Sequence, residues 1–255
     1  MSISSSPLSS GPLPVLARRP RAILLDAGNT LVEIDYAAIA AIAARFGIAA
    51  SADRLRAAEW RARVRFDRLL GPPAAGAGYP PIQKSTEGAD VFRRFMAMIF
   101  EEAAIPAAAD PPAPVLAAIH AHHRADNLWS RPHPAAGAVL AELKAAGFKL
   151  AVVSNAGGDV ADLLARLDLA APLDAILDSG IVGVEKPDPR IFHLAASRLG
   201  VAAAECLHVG DLYSVDVVGA RAAGAEPVLI DPAGLWPQED CIKVPDLAAL
   251  PRLVR

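Results

Sequence analysis

The stretch that decides the fold is KLAVVSNAGGDVADLLARLD (149–168), in which a short apolar run precedes an amphipathic segment. KLAVVS (149–154) has the length and the valine content of a buried strand, and GDVADLLARLD (158–168) has apolar residues at helical spacing. A buried strand followed by a helix is the repeating unit of parallel sheets. The pattern therefore predicts one strand–helix unit of an α/β protein.

The same alternation continues on both sides of this stretch. The other runs that fit strands are RAILLD (21–26), AILDS (175–179), CLHVG (206–210) and PVLI (227–230). The other segments that fit helices are PAAGAVLAELKAAG (134–147), PRIFHLAASRLG (189–200) and SVDVVGARAAG (214–224). Each of these three helical segments ends in glycine, which is common where helices stop. We therefore expect a parallel sheet covered by helices.

Residues 36–125 follow a different pattern, with no convincing strand. Four segments fit helices: YAAIAAIAARFG (36–47), SADRLRAAEWRARVRFDRLL (51–70), TEGADVFRRFMAMIFEEA (86–103) and APVLAAIHAHHR (113–124). A Pro- and Gly-rich loop, GPPAAGAGYPP (71–81), separates the second from the third. We predict an inserted all-helical domain over 34–127 and an α/β core formed by 20–33 and 128–255.

The composition limits the class of partner. The chain has 255 residues and a formal net charge of −3. This length suits one α/β domain, or a core domain with a smaller insert. The weakly acidic balance gives no electrostatic reason to expect nucleic acid or an anionic membrane as a partner. Cys206 and Cys241 are too few for a disulfide scaffold or a cysteine-based zinc module, so the expected compartment is the cytoplasm.

The N-terminal residues 1–19 are rich in Ser, Pro and Gly and lack the features of a secretory signal. We expect a disordered leader here, although a targeting segment would share this composition. The most apolar stretch, 37–50, is too short to span a membrane and contains Arg45. We expect no membrane partner, and either a monomer or a homodimer.

Residues capable of catalysis follow the predicted strands. Asp26 follows the first strand, Ser154 ends KLAVVS, and Asp211 follows CLHVG, with Asp216 shortly after it. Lys186 lies in the loop after AILDS. In open parallel sheets, ligands bind outside the carboxyl ends of the strands. Carboxylates, a hydroxyl and an ammonium at that edge suit an oxyanion substrate and a divalent cation with oxygen ligands.

Four motifs in order resemble those of the haloacid dehalogenase-like hydrolase superfamily. They are DAGNT (26–30), SN (154–155), GVEKPDPRIF (183–192) and HVGDLYSVDVVGA (208–220). The helical segment between the first and second motifs resembles the family's helical cap of the first type. The resemblance implies a Rossmann-like core of three layers with a parallel sheet and an inserted cap. It also implies hydrolysis of a small phosphorylated substrate with Mg²⁺.

The resemblance assigns a role to each motif residue. Asp26 matches the nucleophile that becomes an aspartyl-phosphate, and Lys186 matches the cation that neutralises charge on nucleophile and phosphate. Ser154 matches the hydroxyl that binds a phosphoryl oxygen, and Asn155 belongs to the same phosphate-binding motif. Thr30 is expected to orient the first loop and to contribute to the phosphate site.

The implied Mg²⁺ ligands come from the first and fourth motifs. Asp26 and Asp211 match direct ligands, and the backbone carbonyl of Gly28 supplies a further oxygen. Asp216 matches either a ligand or a residue that holds the ligands in place.

Gly28 departs from the family pattern, because the superfamily has a second Asp at this position. That Asp protonates the leaving oxygen and later activates water, and glycine can do neither. General acid–base catalysis contributes about 10²–10⁴-fold to a rate. Three hypotheses remain open: a phosphohydrolase that manages without this Asp, a hydrolase of carbon–phosphorus or carbon–halogen bonds, and a weakly catalytic binding or regulatory module.

Other features of the sequence bear on these hypotheses. A carbon–phosphorus hydrolase needs a lysine in the cap, where Lys84 stands alone, and dehalogenases do not keep the Gly210–Asp211 pair. The arginines of 54–68 form either a solvated helix face or a surface toward a phosphate-bearing substrate. The side chains weighed as a replacement acid or base, each more simply explained as structural or solvated, are Glu33, Asp35, His120, His122, His123, His133 and Glu185.

Overall fold

The computed structural model describes residues 16, 18–70, 86–105 and 113–255. Its strands are β1 (Ala22–Leu25), β2 (Val32–Ile34), β3 (Trp129–Pro132), β4 (Lys149–Ser154), β5 (Ala175–Asp178), β6 (Cys206–Gly210), β7 (Glu226–Ile230) and β8 (Ile242–Val244). Its helices are α1 (Tyr36–Ala44), α2 (Ala52–Leu70), α3 (Thr86–Glu102), α4 (Ala113–Ala125), α5 (Ala136–Ala145), α6 (Val160–Arg166), α7 (Ser179–Val182), α8 (Pro189–Arg198), α9 (Val218–Ala222) and α10 (Leu250–Leu253). A single π-helical turn, Tyr213–Val217, precedes α9.

Six strands form one sheet in the order β5-β4-β1-β6-β7-β8, and all neighbouring pairs are parallel. β1, at the centre, is buried along its whole length, as a strand covered on both faces should be. Five of the six strands coincide with the apolar runs in the sequence. The sequence does not predict β8, because its three residues are too few to form a recognisable strand pattern.

Helices cover both faces of the sheet, which makes three layers. Alternate residues of β1 point to opposite faces: Ile23 and Leu25 join a cluster with α5, α6 and α10, whereas Ala22 and Leu24 join one with α8 and α9. α5, α8 and α9 each end two residues before the glycine that the sequence places at the helix end. The predicted Rossmann-like α/β architecture is confirmed.

Helices α1 to α4 surround an apolar cluster of their own. Its fully buried members include Leu55 of α2, Phe100 of α3 and Ile119 of α4. The chain enters and leaves this helical part through β2 and β3, which pair as an antiparallel ribbon. The sequence predicts a turn at β2, so this ribbon is a correction. β2 has only three residues, too few to form a recognisable strand pattern, and its partner β3 is distant in sequence.

One helix of this part also packs on the α/β core. Val64 of α2 forms a small apolar cluster with Val217, Leu229 and Trp236. α2 therefore belongs to the surface that faces the carboxyl ends of the strands.

Some sequence predictions fall on residues outside the described ranges. These include the loop 71–81, Lys84 and most of the predicted leader. Within the predicted leader, Leu16 packs against the core, and the Arg19 guanidinium lies 4.9 Å from the centre of the Phe148 ring. Among the described helices, none combines the length and the apolar character needed to cross a bilayer.

Candidate active site

The predicted site residues meet at one edge of the sheet. Leu25, the last residue of β1, is in register with Val152 of β4 and Val209 of β6. The three central strands therefore end at nearly the same level. Asp26 follows β1 directly, and Asp211 follows β6, so both carboxylates emerge at this edge.

Lys186 links two of the predicted carboxylates. Its Nζ lies 2.5 Å from Oδ1 of Asp26 and 2.7 Å from Oδ1 of Asp216, and its side chain is 2% exposed. Burial opposes the charge of Lys186, but the two carboxylates outweigh burial and raise its pKa. Burial also raises the pKa of Asp26, and Lys186 counteracts part of that rise. The predicted nucleophile and the predicted cation are therefore in direct contact.

Asp216 is engaged on both of its oxygens. Oδ1 accepts hydrogen bonds from Lys186 and from Nε2 of His208, the latter at 2.9 Å, and Oδ2 accepts two backbone N–H groups in the loop that begins at Asp211. Burial works against its charge, yet Lys186 and His208 hold the pKa of Asp216 well below its ordinary value. A Cβ on Gly210 would overlap the Asp216 carboxyl, which explains the glycine there. These contacts fit a residue that holds the site together better than a metal ligand.

Asp211 is contacted by a cation from α2. Its Oδ2 accepts a hydrogen bond from Nδ2 of Asn29 at 3.2 Å and lies 3.3 Å from Nε of Arg63. Arg63 also donates two hydrogen bonds to Glu59, at 2.8 and 2.6 Å. Burial raises the pKa of Asp211, Arg63 counteracts that rise, and the nearby Asp26 adds to it. One of the arginines of 54–68 thus lies inside the site and is not part of a solvated face.

The buried charges of this site do not cancel. Four carboxylates meet two cations, which leaves an excess of two negative charges when all six groups are ionised. Oxygen donors with such an excess fit a hard divalent cation such as Mg²⁺, which is typically held by one or two carboxylates together with waters and substrate phosphates. The six buried residues are Asp26, Glu59, Asp211, Asp216, Lys186 and Arg63.

The donors available to such a cation are few. Among the described residues, no group of three or more His, Cys, Asp or Glu side chains is arranged to hold a metal by itself. Asp26 and Asp211, with the backbone carbonyl of Gly28, are the oxygen donors that the sequence motifs propose. This set fits Mg²⁺ when water or phosphate completes the coordination.

The three residues expected at the phosphate differ in their surroundings. Ser154 ends β4 and is buried. The Asn155 side chain clamps the backbone of Lys186, because its Nδ2 donates to the Lys186 carbonyl and its Oδ1 accepts the Lys186 N–H, both at 2.8 Å. Thr30 is fully buried, and its Oγ1 has no hydrogen-bond partner within the described part of the chain. The Asn155 side chain therefore acts on the phosphate site indirectly, through Lys186.

An aromatic ring occupies the space beside Gly28. A Cβ at this position would lie 3.2 Å from Cδ1 and 3.2 Å from Nε1 of Trp129, a residue of β3. Nε1 of Trp129 donates a hydrogen bond to Oδ1 of Asn29 at 3.2 Å. Asn29 has a φ of +53°, a conformation in which asparagine is enriched. A larger residue at position 28 would therefore be in tight contact with the indole, which would have to shift by a few tenths of an ångström.

Two acidic candidates for a replacement acid or base are engaged elsewhere. Glu33 lies in β2 and pairs with Arg56 at 2.7 Å. Asp35 pairs with Arg131 at 2.6 Å and accepts a hydrogen bond from the N–H of Ala38 at the start of α1. Both carboxylates have structural partners outside the cluster around Asp26.

The histidine candidates differ in the side chains that they contact. His123 of α4 stacks on Phe92 with ring centres 4.6 Å apart, and its ring centre is 5.4 Å from that of Trp129. His120 also lies beside Phe92, with ring centres 5.4 Å apart. His133, which follows β3, has its Nε2 3.7 Å from Oδ2 of Asp246. His123 is thus the candidate whose ring contacts the indole beside Gly28.

A cavity of about 350 Å³ adjoins the site. It lies between α2 and the loops that follow β7 and β8. Asn29 and Arg63, which both contact Asp211, line this cavity. It gives small molecules an approach to the partners of Asp211.

Several site residues carry only a weak signal in the sequence. Glu59 and Arg63 are spaced i,i+4 in a predicted helix, which signals a pair but not its burial. His208 lies in a buried strand, where apolar neighbours conceal its contact with Asp216. Trp129 carries no signal, because its role depends on the ribbon that brings it to Asn29.

The family comparison covers all of these residues. The sequence model for haloacid dehalogenase-like hydrolases matches residues 20–224. The chain belongs to this family. The resemblance drawn from the four motifs is therefore confirmed at the level of the hydrolase family.

Curated relatives of this haloacid dehalogenase-like hydrolase match part of its length. A phosphoserine phosphatase from Thermus thermophilus is 43% identical over 116 residues, which are 45% of this chain and 46% of the relative. A glyceraldehyde 3-phosphate phosphatase from Methanopyrus kandleri is 40% identical over 124 residues, which are 48% and 53%. The chain thus spans about half the length of the curated relatives it matches.

Solved structures extend the fold comparison to nearly the whole chain. A crystal structure of a dehalogenase with an intermediate complex aligns with a TM-score of 0.60 at 23% identity. The alignment covers 94% of this chain and 100% of the dehalogenase chain. At this identity the match supports the fold alone.

Proposed function

We propose that this hydrolase removes phosphate from a small phosphorylated metabolite through an aspartyl-phosphate on Asp26. The observation that carries the proposal is the contact of the buried Lys186 ammonium with both Asp26 and Asp216. A carboxylate is a weak nucleophile toward a phosphate ester, so a fixed cation beside it is needed to offset the repulsion between two anions. The phosphatase names of two relatives support the same class of reaction.

The proposed chemistry has two steps. In the first, a carboxylate oxygen of Asp26 attacks phosphorus, and the bond from phosphorus to the leaving oxygen breaks with its electron pair on that oxygen. In the second, water attacks the phosphorus of the acyl phosphate, and inorganic phosphate leaves as the Asp26 carboxylate is restored. Lys186 neutralises charge in both steps, and the Ser154 hydroxyl donates a hydrogen bond to a phosphoryl oxygen.

Asp26, Asp211 and the carbonyl of Gly28 would hold Mg²⁺ in this proposal. The bound cation supplies positive charge to the phosphate oxygens. Asp216 is a positioning residue, since it holds Lys186 and the loop after β6. Gly28 leaves water without a carboxylate base, so the second step should be the slower one.

We also propose that residues 34–127 act as a cap over a core of 20–33 and 128–255. The separate apolar cluster of α1 to α4 supports this division. The cap would contribute Arg63 to the site, and its closure would exclude water from the reaction.

Release of p-nitrophenolate from p-nitrophenyl phosphate tests the proposal, with and without Mg²⁺. We expect a burst of about one equivalent per chain, followed by slower turnover, because dephosphorylation limits the rate. Asp26→Asn should remove both phases, whereas Asp126→Asn, at an exposed position, should leave them unchanged. A burst that survives in Asp26→Asn would refute Asp26 as the nucleophile.

The alternatives that Gly28 raises give different results. A binding or regulatory module would show neither burst nor turnover, yet would bind Mg²⁺ in calorimetry. A carbon–phosphorus or carbon–halogen hydrolase would release phosphate or halide from a phosphonate or a haloacid and none from phosphate esters. Lys84, which the carbon–phosphorus hypothesis requires, lies outside the described residues.

A further inference from the structure

An aromatic group extends from the helical part of the chain to the first motif. Phe92 of α3 stacks on His123 of α4, and Trp129 of β3 packs edge-on against both, with ring centres 6.3 and 5.4 Å away. These three rings are half-buried. They therefore form a partly accessible aromatic group between two cap helices and the ribbon, with the Trp129 ring steeply inclined to the stacked pair.

Trp129 carries this surface to the reacting groups. The three heavy atoms nearest to the place of a Cβ on Gly28 all belong to its indole. Its Nε1 donates to Asn29, and Asn29 donates in turn to Asp211. The indole is thus held against the first motif, two residues from Asp26.

No acid occupies the position that Trp129 fills. An indole N–H is a hydrogen-bond donor and does not transfer its proton near neutral pH. His123, the next ring, accepts the N–H of Leu128 on Nδ1 at 3.2 Å, and burial lowers its pKa, which disfavours the imidazolium that could donate a proton. Nζ of Lys186 donates to Asp26 and to Asp216, so it is engaged away from a leaving group beside Trp129. None of these described residues is thus placed to protonate a leaving group beside Trp129, which would then depart as an anion.

If the leaving group departs as an anion, the rate of hydrolysis of a phosphate ester depends on the basicity of that group. A phenol has a pKa of about 10, as in tyrosine. An alcohol resembles water, whose pKa is about 16. When no proton is donated to the leaving oxygen, this difference in pKa appears in full as a difference in the rate at which the phosphorus–oxygen bond breaks. Aryl and enol leaving groups are also planar and conjugated, and such groups pack favourably against aromatic rings.

We propose that Trp129 selects phosphate esters with planar, conjugated leaving groups of low basicity, aryl or enol phosphates, over alkyl phosphates. The inference rests on the proposed Asp26-dependent hydrolysis and names its substrate class. The indole lies against the place of the missing acid, so a leaving group beside Gly28 would contact an aromatic ring and not a carboxyl group. Trp129 is a specificity-determining residue here, and Gly28 provides the room for it.

Kinetics over a leaving-group series test this proposal. The substrates are substituted phenyl phosphates, with ethyl phosphate and glycerol phosphate as alkyl esters, at saturating Mg²⁺. We expect kcat/KM to fall steeply as the leaving group becomes more basic, by about 10³-fold or more from phenyl to alkyl esters. The value of kcat should stay nearly constant across the phenyl series, because dephosphorylation is shared by all substrates.

Variants separate the ring from the rest of the site. Trp129→Leu should lower kcat/KM for phenyl phosphates about five-fold through KM, and Trp129→Phe should keep most of the preference because a ring remains. Phe46→Leu, at a ring 41% exposed on the surface, is the matched control and should change nothing. Circular dichroism and melting temperature establish that each variant is folded.

The contrary outcomes are distinct. Alkyl esters hydrolysed as well as phenyl esters, in an Asp26-dependent reaction, would overturn the role of Trp129 and leave the proposed hydrolysis intact. Equal phenyl preference in Trp129→Leu and wild type would do the same. If no ester gives Asp26-dependent release, the proposed function fails and this inference fails with it.

Discussion

Arg63 of α2 lies with its Nε 3.3 Å from Oδ2 of Asp211, although the two residues belong to different parts of the chain. The same guanidinium pairs with Glu59, whose side chain is fully buried. Three charged groups are therefore removed from water together. Removal of one member alone is costly in such a group, because it leaves a buried charge without its partner.

Loss of Arg63 alone should therefore cost more than loss of the pair. We expect Arg63→Met to lower the free energy of unfolding by about 3–5 kcal/mol, and the double variant Glu59→Gln/Arg63→Met to recover part of this loss. Urea unfolding of the four proteins in the cycle measures the coupling. The exposed pair Glu239 and Lys243 has the same i,i+4 spacing and should couple by less than about 1 kcal/mol. Equal coupling in the two cycles would contradict this account.

Lys186 should matter for both folding and catalysis. Lys186→Met leaves the carboxylates of Asp26 and Asp216 buried without their cation, so we expect a loss of about 3–5 kcal/mol in the free energy of unfolding. Hydrolysis should fall by at least about 10²-fold, because a fixed cation at the phosphate is removed.

The matched control for this variant is Lys144→Met. Lys144 also lies 2.6 Å from an aspartate, Asp174, but both side chains are more than one-third exposed. We expect Lys144→Met to lower the free energy of unfolding by less than about 1 kcal/mol and to leave the turnover unchanged. Denaturant titration and p-nitrophenyl phosphate turnover measure the two effects. A folded Lys186→Met protein with normal turnover would exclude Lys186 from the reaction.

The α/β core and the edge that carries the candidate site could be predicted because their signals are local. A strand buried on both faces is a continuous apolar run, and Lys149–Ser154 and Cys206–Gly210 have the bounds that these runs predict. The polar residue after each run then marks the edge where ligands bind. Thus Asp26, Ser154 and Asp211 could be placed together without coordinates.

Contacts between distant segments left no such signal. Asn29 and Trp129 are 100 positions apart, and they meet because β2 and β3 pair, although β2 has only three residues. Arg63 looked like one arginine among many on a helix. Its burial depends on how α2 packs against the loop after β6, which no periodicity encodes.

Asp67 should give the stability a dependence on pH. Its Oδ1 accepts the N–H and the hydroxyl of Ser214, at 2.8 and 2.6 Å, and burial raises its pKa to about 6. The ordinary pKa of Asp is about 4, so the folded state binds this proton more tightly than the unfolded state. The stabilisation from protonation is complete below pH 4 and is lost as the pH rises through 6.

Asp67→Asn isolates this effect, because asparagine keeps an acceptor oxygen without the charge. We expect the variant to exceed wild type in the free energy of unfolding by about 2 kcal/mol at pH 8, and the difference to approach zero at pH 4. Urea titrations between pH 4 and 8 provide the measurement, with the exposed Asp126→Asn as a reference whose difference from wild type stays flat. A flat difference for Asp67→Asn as well would mean that the Asp67 carboxylate is not destabilised by burial.

Restoring a carboxylate at position 28 should require a second change. In Gly28→Asp, the Cβ would lie 3.2 Å from two indole atoms of Trp129, and the carboxyl would need more room still. We expect this single variant to lose about 1–3 kcal/mol of stability through overpacking and to gain no turnover.

Removal of the Trp129 ring should give the carboxylate introduced by Gly28→Asp enough room to act as a general acid and base. In Gly28→Asp/Trp129→Ala, we expect kcat for alkyl phosphates to rise at least about 10-fold above Trp129→Ala, because general acid–base catalysis returns to both steps. The increase should appear in kcat, because an activated water speeds the rate-limiting dephosphorylation. The burst amplitude should become smaller in the same variant for the same reason. Rapid-quench kinetics on the four proteins of this cycle measure both quantities. If Gly28→Asp alone were as active as the double variant, the indole would move aside freely, and glycine at position 28 would not be there to accommodate Trp129.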